Sequence, residues 1–271
     1  MQVMGVPEWP EGPWRWQPRI FGVSNQKGGS GKTTTTVNLG AELAAHGARV
    51  RLIDMDPQLG SATHWLPPDF GDTDPRLRSD LKDVLLGMAT LDQATWPTAI
   101  PGVFIVPSYH TLTQFEQARP IGAEHLLAQA LDQAEVFDAT AIDCPPTLGL
   151  LTVAALAAIM EAIIACKPGS LDLVGVADLN ATLALVRDRL NTMLTVAAVV
   201  MTMRQLTKFA GQIELQLMAD YPHAVHQSIR HTVRAQEAPS VHLPLREYAP
   251  GATATIDYAR LAWRLYHPEE G

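Results

Sequence analysis

The sequence predicts an α/β fold: a doubly wound, mostly parallel twisted sheet with helices on both faces. Two observations carry that expectation. Short apolar, β-rich runs alternate with longer segments whose apolar residues recur at steps of three and four. A glycine-rich run, Lys27 to Thr33, falls directly between the first such strand and the first such helix. With 271 residues and 47% hydrophobic content, the chain holds enough apolar material for one large core and little for two. We therefore expect residues 1–18 to be an extension and residues 19–271 to be a single domain.

Each element follows from its local signals. Residues 1–18 are rich in Pro and Trp and show neither a strand nor a helix period. Strands are expected at Ile20–Ser24, Val50–Ile53, Val103–Val106, Ala139–Ile142, Ala162–Ala165, Thr195–Met201 and Ala224–Ser228. Helices are expected at Lys32–His46, closed by Gly47, and at Leu112–Gln133, Leu148–Ala158, Phe209–Ala219 and Thr253–Tyr266. One further helix has an apolar face of Val176, Leu179, Leu183, Val186 and Leu190, with Arg187, Asp188 and Arg189 mostly off it. The Pro-, Gly- and Asp-containing stretch from Pro67 to Arg78 reads as a surface loop.

Composition excludes several classes. A formal net charge of −8 rules out a uniformly basic surface, so nucleic-acid contact has to come from a local patch. The acidic excess lies in the first two thirds; beyond residue 180 the two signs nearly balance. Cys144 and Cys166 lack metal or redox spacing and sit in or beside apolar runs, which reads as buried thiols in a reducing cytoplasm. No charge-free apolar stretch approaches a membrane span, and the chain does not open on a secretory signal. A cytosolic protein is expected.

The strongest motif is Lys27-Gly28-Gly29-Ser30-Gly31-Lys32-Thr33. Glycines let the backbone turn and present successive N–H groups to phosphate oxygens, and the following helix adds its positive N-terminus. Lys32 would reach the β- and γ-phosphates and the Thr33 hydroxyl would ligate Mg²⁺. The bland alternative is a glycine turn that merely links strand to helix. The ordinary pattern needs glycine where this chain has Gln26, and it gains a second lysine, Lys27. That lysine is either a solvated charge or a group aimed at another phosphate.

Asn25 to Thr34 as a whole resembles the phosphate loop of the ParA/MinD family of P-loop NTPases with the deviant Walker A motif. The resemblance implies that ATP is held by Lys27, Gly28, Gly29, Ser30, Gly31, Lys32, Thr33 and Thr34. It also implies that Lys27 crosses the interface of an ATP-sandwich homodimer to touch the partner's nucleotide.

Two carboxylate motifs fall at strand ends. In Val50 to Gln58, alternation puts Asp54 and Asp56 on one side of an extended chain, where both could face the phosphates; otherwise they cap a turn with Pro57. In Ala141 to Leu151, Asp143 ends a strand before a rigid Pro145-Pro146 turn, where a carboxylate can hold Mg²⁺ through water. These segments resemble the same family's LIDxDPQ and IDCPPxLGLL motifs. The resemblance makes Asp56 the group that positions the attacking water, Asp143 the Walker B carboxylate and Asp54 a support for the Mg²⁺ shell.

Thr232 to Ser240 is similar to the family segment that lies beside the nucleotide base and supplies an arginine to non-specific DNA binding, which singles out Arg234. Arg204, Lys208 and Arg230 are further candidates for duplex contact, with Arg246, Arg260 and Arg264 as additional cations. There are departures: Arg230-His231-Thr232 stands where the family often has Pro-Arg-Asn, and Tyr248 to Thr253 lacks arginine. The resemblance covers residues 20–266. It implies an ATP-dependent partition switch that dimerises, binds double-stranded DNA without sequence preference and is reset by a ParB-like partner, hence a nucleoid-associated location. Positioning of another cargo by the same cycle is the alternative. A membrane-bound, MinD-like role is not expected, because the chain's closing Glu269 and Glu270 would be repelled by anionic lipid. Operator-specific repression is not expected either, for want of an N-terminal helix-turn-helix. Trp9, Trp14 and Trp16 could pack back on the domain, bind a partner or contact a second protomer.

Overall fold

The computed structural model describes residue 14, residues 16–58 and residues 61–267, and at 170–174 the backbone alone. Among these residues the strands are β1 (Arg19–Ser24), β2 (Val50–Asp54), β3 (Trp96–Pro97), β4 (Val103–Val106), β5 (Ala139–Asp143), β6 (Glu161–Cys166), β7 (Thr195–Arg204) and β8 (Val225–Arg230). They form one sheet in the order β3-β4-β2-β5-β1-β6-β7-β8. Only the β3–β4 pairing is antiparallel. The helices are α1 (Lys32–Ala45), α2 (Ala62–Trp65), α3 (Leu81–Leu85), α4 (Thr113–Ala118), α5 (Leu126–Asp132), α6 (Leu150–Ala158), α7 (Ser170–Arg189), α8 (Lys208–Asp220), α9 (Arg234–Glu237), α10 (Leu245–Tyr248) and α11 (Thr253–Tyr266).

Alternation along each strand feeds two cores. Leu52, Val37, Leu39, Leu43, Leu261 and Leu265 are buried on the face covered by α1 and α11. Ile53, Ile142, Ile164, Leu156, Leu183 and Leu217 are buried on the opposite face, under α5 to α8. The two-sided cover explains why the central strands read as continuous apolar runs. Gly40 lets α1 lie close to β2: a Cβ there would meet Leu52 Cδ2 at 2.8 Å. β1 sits between β5 and β6, so the chain reverses its direction of winding beside the strand that carries the phosphate loop. In such sheets the crevice outside the carboxyl ends of the strands is where ligands bind.

All seven expected strands are present, Val103–Val106 with the expected bounds and the others with ends shifted by at most three residues. The expected helix Leu112–Gln133 is instead broken into a 3₁₀ turn, α4, a second 3₁₀ turn and α5. Arg119 at φ 42° and Gly122 at φ 71° form the break around Pro120, whose ring disfavours helical geometry in the residue before it. Five short elements, α2, α3, β3, α9 and α10, are too brief to show a period in sequence. The stretch Pro67–Arg78 is a loop with one 3₁₀ turn at Pro75–Leu77. Cys144 and Cys166 are both buried.

Trp14 and Trp16 pack back on the chain. Trp14 stacks on His46 at 4.4 Å and meets the edge of Trp263 at 5.5 Å, and Trp16 meets Tyr266 at 5.2 Å. Trp9 lies outside the described residues. No helix among the described residues is long and apolar enough to cross a membrane.

Candidate nucleotide-binding site

The loop between β1 and α1 has the shape its glycines anticipate. Gly29 and Gly31 adopt left-handed φ values of 71° and 88°, which side-chain-bearing residues rarely accept. Gly31 is the N-cap of α1, and no side chain caps the helix, so its first-turn N–H groups are left for an anion. The buried Ser30 hydroxyl has no hydrogen-bond partner, a second donor in the same cradle. Lys32 is only 6% exposed and its Nζ donates to Lys27 O at 3.2 Å. Burial lowers the Lys32 ammonium pKa, while the nearby Asp143, Cys144 and Asp56 oppose that shift. Lys27 is partly exposed at the loop's start, with its backbone N–H bonded to Asn25 Oδ1 at 3.0 Å.

Asp54 and Asp143 are neighbours across β2 and β5, and both are fully buried. Desolvation pushes the Asp54 carboxyl up to about 6 against the hydrogen bonds of Ser61, Thr63 and Asp56. Asp54 Oδ2 accepts from Ser61 Oγ at 2.5 Å and from Thr63 Oγ1 and N at 2.5 and 2.8 Å, and Oδ1 accepts from Asp56 N at 3.0 Å. The expectation that Asp54 and Asp56 point together at the phosphates is therefore corrected. The Met55 N–H still donates to Asp143 O at 3.0 Å, but Asp54 is spent on organising the segment that follows it. Ser108 closes this bracket, its N–H donating to Thr63 Oγ1 at 2.9 Å and its hydroxyl to Asp56 O at 3.2 Å.

Asp143 is different. Its Oδ1 accepts from Thr36 Oγ1 at 3.3 Å, but its buried Oδ2 has no hydrogen-bond partner. Burial, then the charge of Asp54, pushes its carboxyl up to about 8, with Thr33 and Lys32 opposing. An unsatisfied buried carboxylate oxygen beside a threonine hydroxyl fits the outer shell of a hard divalent cation, whose charge would reverse that shift.

Asp56 is half-buried and lines a groove of about 1060 Å³. Pro57, Phe70, Tyr109, Pro145 and Pro146 give the groove apolar walls and Glu116 adds a carboxylate. Burial raises the Asp56 carboxyl pKa, while the Gln58 N–H and Lys32 oppose the shift. Lys32, Asp56 and Asp143 are thus brought to one end of the sheet.

The cations chosen for duplex contact are less uniform. Arg204 pairs with Glu214 at 3.0 Å, Arg230 with Asp257 at 2.7 Å and Arg234 with Glu237 at 2.8 Å. Arg204 and Arg230 face each other in the β7–β8 register, and Lys208 is exposed at the start of α8. Sequence reasoning missed Ser61, Thr63, Ser108 and Thr202, which act through hydrogen bonds that no spacing reveals.

A family model described as an AAA domain matches residues 18–196. The chromosome partitioning protein ParA of Caulobacter vibrioides is 34% identical over 251 residues, covering 90% of this chain and 92% of that protein. The chain belongs to the ParA/Soj family of P-loop ATPases. Within it, the sporulation initiation inhibitor protein Soj of Bacillus subtilis is 35% identical over 250 residues, 89% of this chain and 97% of that one. Among solved structures, cobyrinic acid a,c-diamide synthase from Mycobacterium smegmatis with bound ADP and magnesium superposes with a TM-score of 0.77 at 28% identity. It covers 94% of this chain and 96% of its own. MinD of Pyrococcus horikoshii complexed with Mg-ADP has a TM-score of 0.73 at 23% identity, a likeness of fold. In this ParA-family chain the loop with Lys27 is thus the deviant form of the phosphate loop.

Proposed function

We propose that this ParA-family chain is a Mg²⁺-dependent ATPase that works as a DNA-partition switch. The observation that carries the reading is the convergence, beside an uncapped helix N-terminus, of the buried Lys32, the unpartnered oxygen of Asp143 and the half-buried Asp56. Loop amides, Ser30 and Lys32 bind the phosphates, while Thr33 and Asp143 would hold Mg²⁺, with Asp54 behind them. When bound, Mg²⁺ neutralises charge on the β- and γ-phosphate oxygens. Asp56 orients a water toward the γ-phosphorus; the bond from that phosphorus to the β-phosphate oxygen breaks, giving ADP and phosphate.

In this reading ATP draws two copies of the domain, residues 19–271, together. Lys27 of each meets the nucleotide of the other, a cation supplied in trans. The dimer doubles the exposed Lys208 and Arg234, a local basic surface that binds nucleoid duplex despite the acidic total. A ParB-like activator stimulates hydrolysis, and the groove at Asp56 gives it access to the water-positioning carboxylate.

Asp56→Ala tests the reading. The variant binds ATP, turns it over at least about 10²-fold more slowly, as loss of a positioning group does, and accumulates as a dimer in light scattering. A variant that stays monomeric with ATP, or hydrolyses normally, removes Asp56 from this role.

A further inference from the structure

The phosphate loop is tied down from below by two side chains outside its Lys27–Thr33 glycine run. Asn25, 1% exposed, donates from Nδ2 to Ala165 O at 2.7 Å and accepts the Lys27 N–H on Oδ1 at 3.0 Å. Thr202, 2% exposed, donates from Oγ1 to Ser30 O at 2.7 Å and lies 3.3 Å from Cys166 O. Ala165 and Cys166 are the last two residues of β6. The loop's beginning is therefore fastened to the end of β6 and its far end to Thr202 of β7, the strand that pairs with β6.

Thr202 stands where β7 becomes irregular. The β7–β8 register shifts between Met201 and Arg204, and Met203 sits at φ 51°, a left-handed conformation that side-chain-bearing residues rarely adopt. The fit is also steric. A Cβ on Gly31 would lie 2.8 Å from Thr202 Cγ2, so Thr202 fills the space that the left-handed glycine leaves.

We propose that Asn25 and Thr202 are positioning residues that hold the phosphate loop in its binding shape before nucleotide arrives, by bracing its two ends against the paired strands β6 and β7. Neither touches phosphate. Their effect is to remove the entropy of ordering the loop from the cost of binding. Because the braced segment surrounds the phosphates common to ATP and ADP, both nucleotides benefit equally.

This inference rests on the nucleotide-binding reading, and the experiment separates the two. Mg-ATP and Mg-ADP are titrated calorimetrically into the full chain, well below its unfolding temperature. Thr202→Val keeps the shape against Gly31 but removes the donor; Thr202→Ser keeps the donor. Thr202→Val is expected to weaken both nucleotides by the same factor of about ten, the worth of one hydrogen bond to a buried carbonyl. Thr202→Ser returns affinity to within about threefold of the parent, a loss of well under one such bond. Asn25→Ala weakens binding as Thr202→Val does and supplies a second arm should the valine variant fail to fold. A fold-stabilising role alone would lower the melting temperature and leave affinity at low temperature unchanged; that result overturns the proposal. So does a serine variant no better than the valine one. A parent chain that binds neither nucleotide overturns the nucleotide reading and the brace with it.

Discussion

Asp54 and Asp143 lie side by side at the carboxyl ends of β2 and β5, one carboxylate saturated with hydrogen bonds and the other with an oxygen left unpaired. Their folded-state pKa values are raised, Asp143 to about 8 from 3.8 and Asp54 to about 6. The folded state therefore holds more protons than the unfolded one between these limits, and stability falls as pH rises from about 4 to about 8. Without nucleotide or divalent cation, Asp143→Asn removes most of this slope. Thermal unfolding across pH is expected to show the variant melting above the parent at pH 8, by at least about 3 °C, with the gap closing toward pH 5. A variant that melts lower than the parent at pH 8 contradicts the electrostatic account.

The two loop lysines are predicted to separate. Lys32→Ala removes the buried ammonium that faces Asp143 and the phosphates, so ATP binding is lost in a calorimetric titration. Lys27→Ala leaves ATP bound to the monomer but prevents dimerisation, because the facing phosphates then repel without a counter-charge. Hydrolysis falls by about 10³-fold, the lower range for a cation delivered in trans. Sedimentation with a slowly hydrolysed ATP analogue distinguishes the variants, and a Lys27→Ala protein that dimerises like the parent refutes the paired mechanism.

Duplex binding divides the basic residues by how buried their ion-pair partners are. Lys208 is exposed and Arg234 pairs with Glu237, whose side chain is itself largely in solvent, so Arg234→Ala or Lys208→Ala weakens ATP-dependent binding about equally on unrelated sequences. Each also reduces the salt slope by about one, the share of a single neutralised phosphate. Arg204 and Arg230 are held by Glu214 and Asp257. Their alanine variants are expected to lower the melting temperature more than they change the salt slope. Filter binding at several salt concentrations, paired with thermal melts, measures both. Retention of the full slope in the Arg234 and Lys208 variants places the duplex surface elsewhere.

The thiols are predicted to be inert. Burial, with the charge of Asp143, pushes the Cys144 thiol up to about 12, and Cys166 is equally enclosed. A thiol reagent at pH 8 is expected to label neither in the native chain and both after guanidinium denaturation.

The parts of this fold legible in sequence are those with a period or a fixed backbone demand. Val50–Asp54 and Ala139–Asp143 are buried on both faces and read as short, largely apolar runs despite Arg51 and Thr140; Gly29 and Gly31 are required by left-handed geometry. The break at Arg119-Pro120 is signalled by the proline but masked by the helical period on either side. At the site, Lys32, Asp56 and Asp143 stand in chain-local motifs and are found through them. The engagement of Asp54 is not legible, because its carboxylate is taken up by Ser61 and Thr63, and Ser108 joins them from a distant part of the chain. Thr202 stands 172 residues from the loop it touches, and only the tertiary structure joins them.

The strand at one rim of the sheet, β3, consists of Trp96 and Pro97 alone and runs against its neighbour. Proline has no amide hydrogen to offer, and two residues give an incoming strand almost nothing to zip onto. That rim is thereby closed to runaway strand-on-strand polymerisation. Self-association on that side would need side-chain contacts rather than backbone ladders, a form of assembly that a bound ligand can switch on and off.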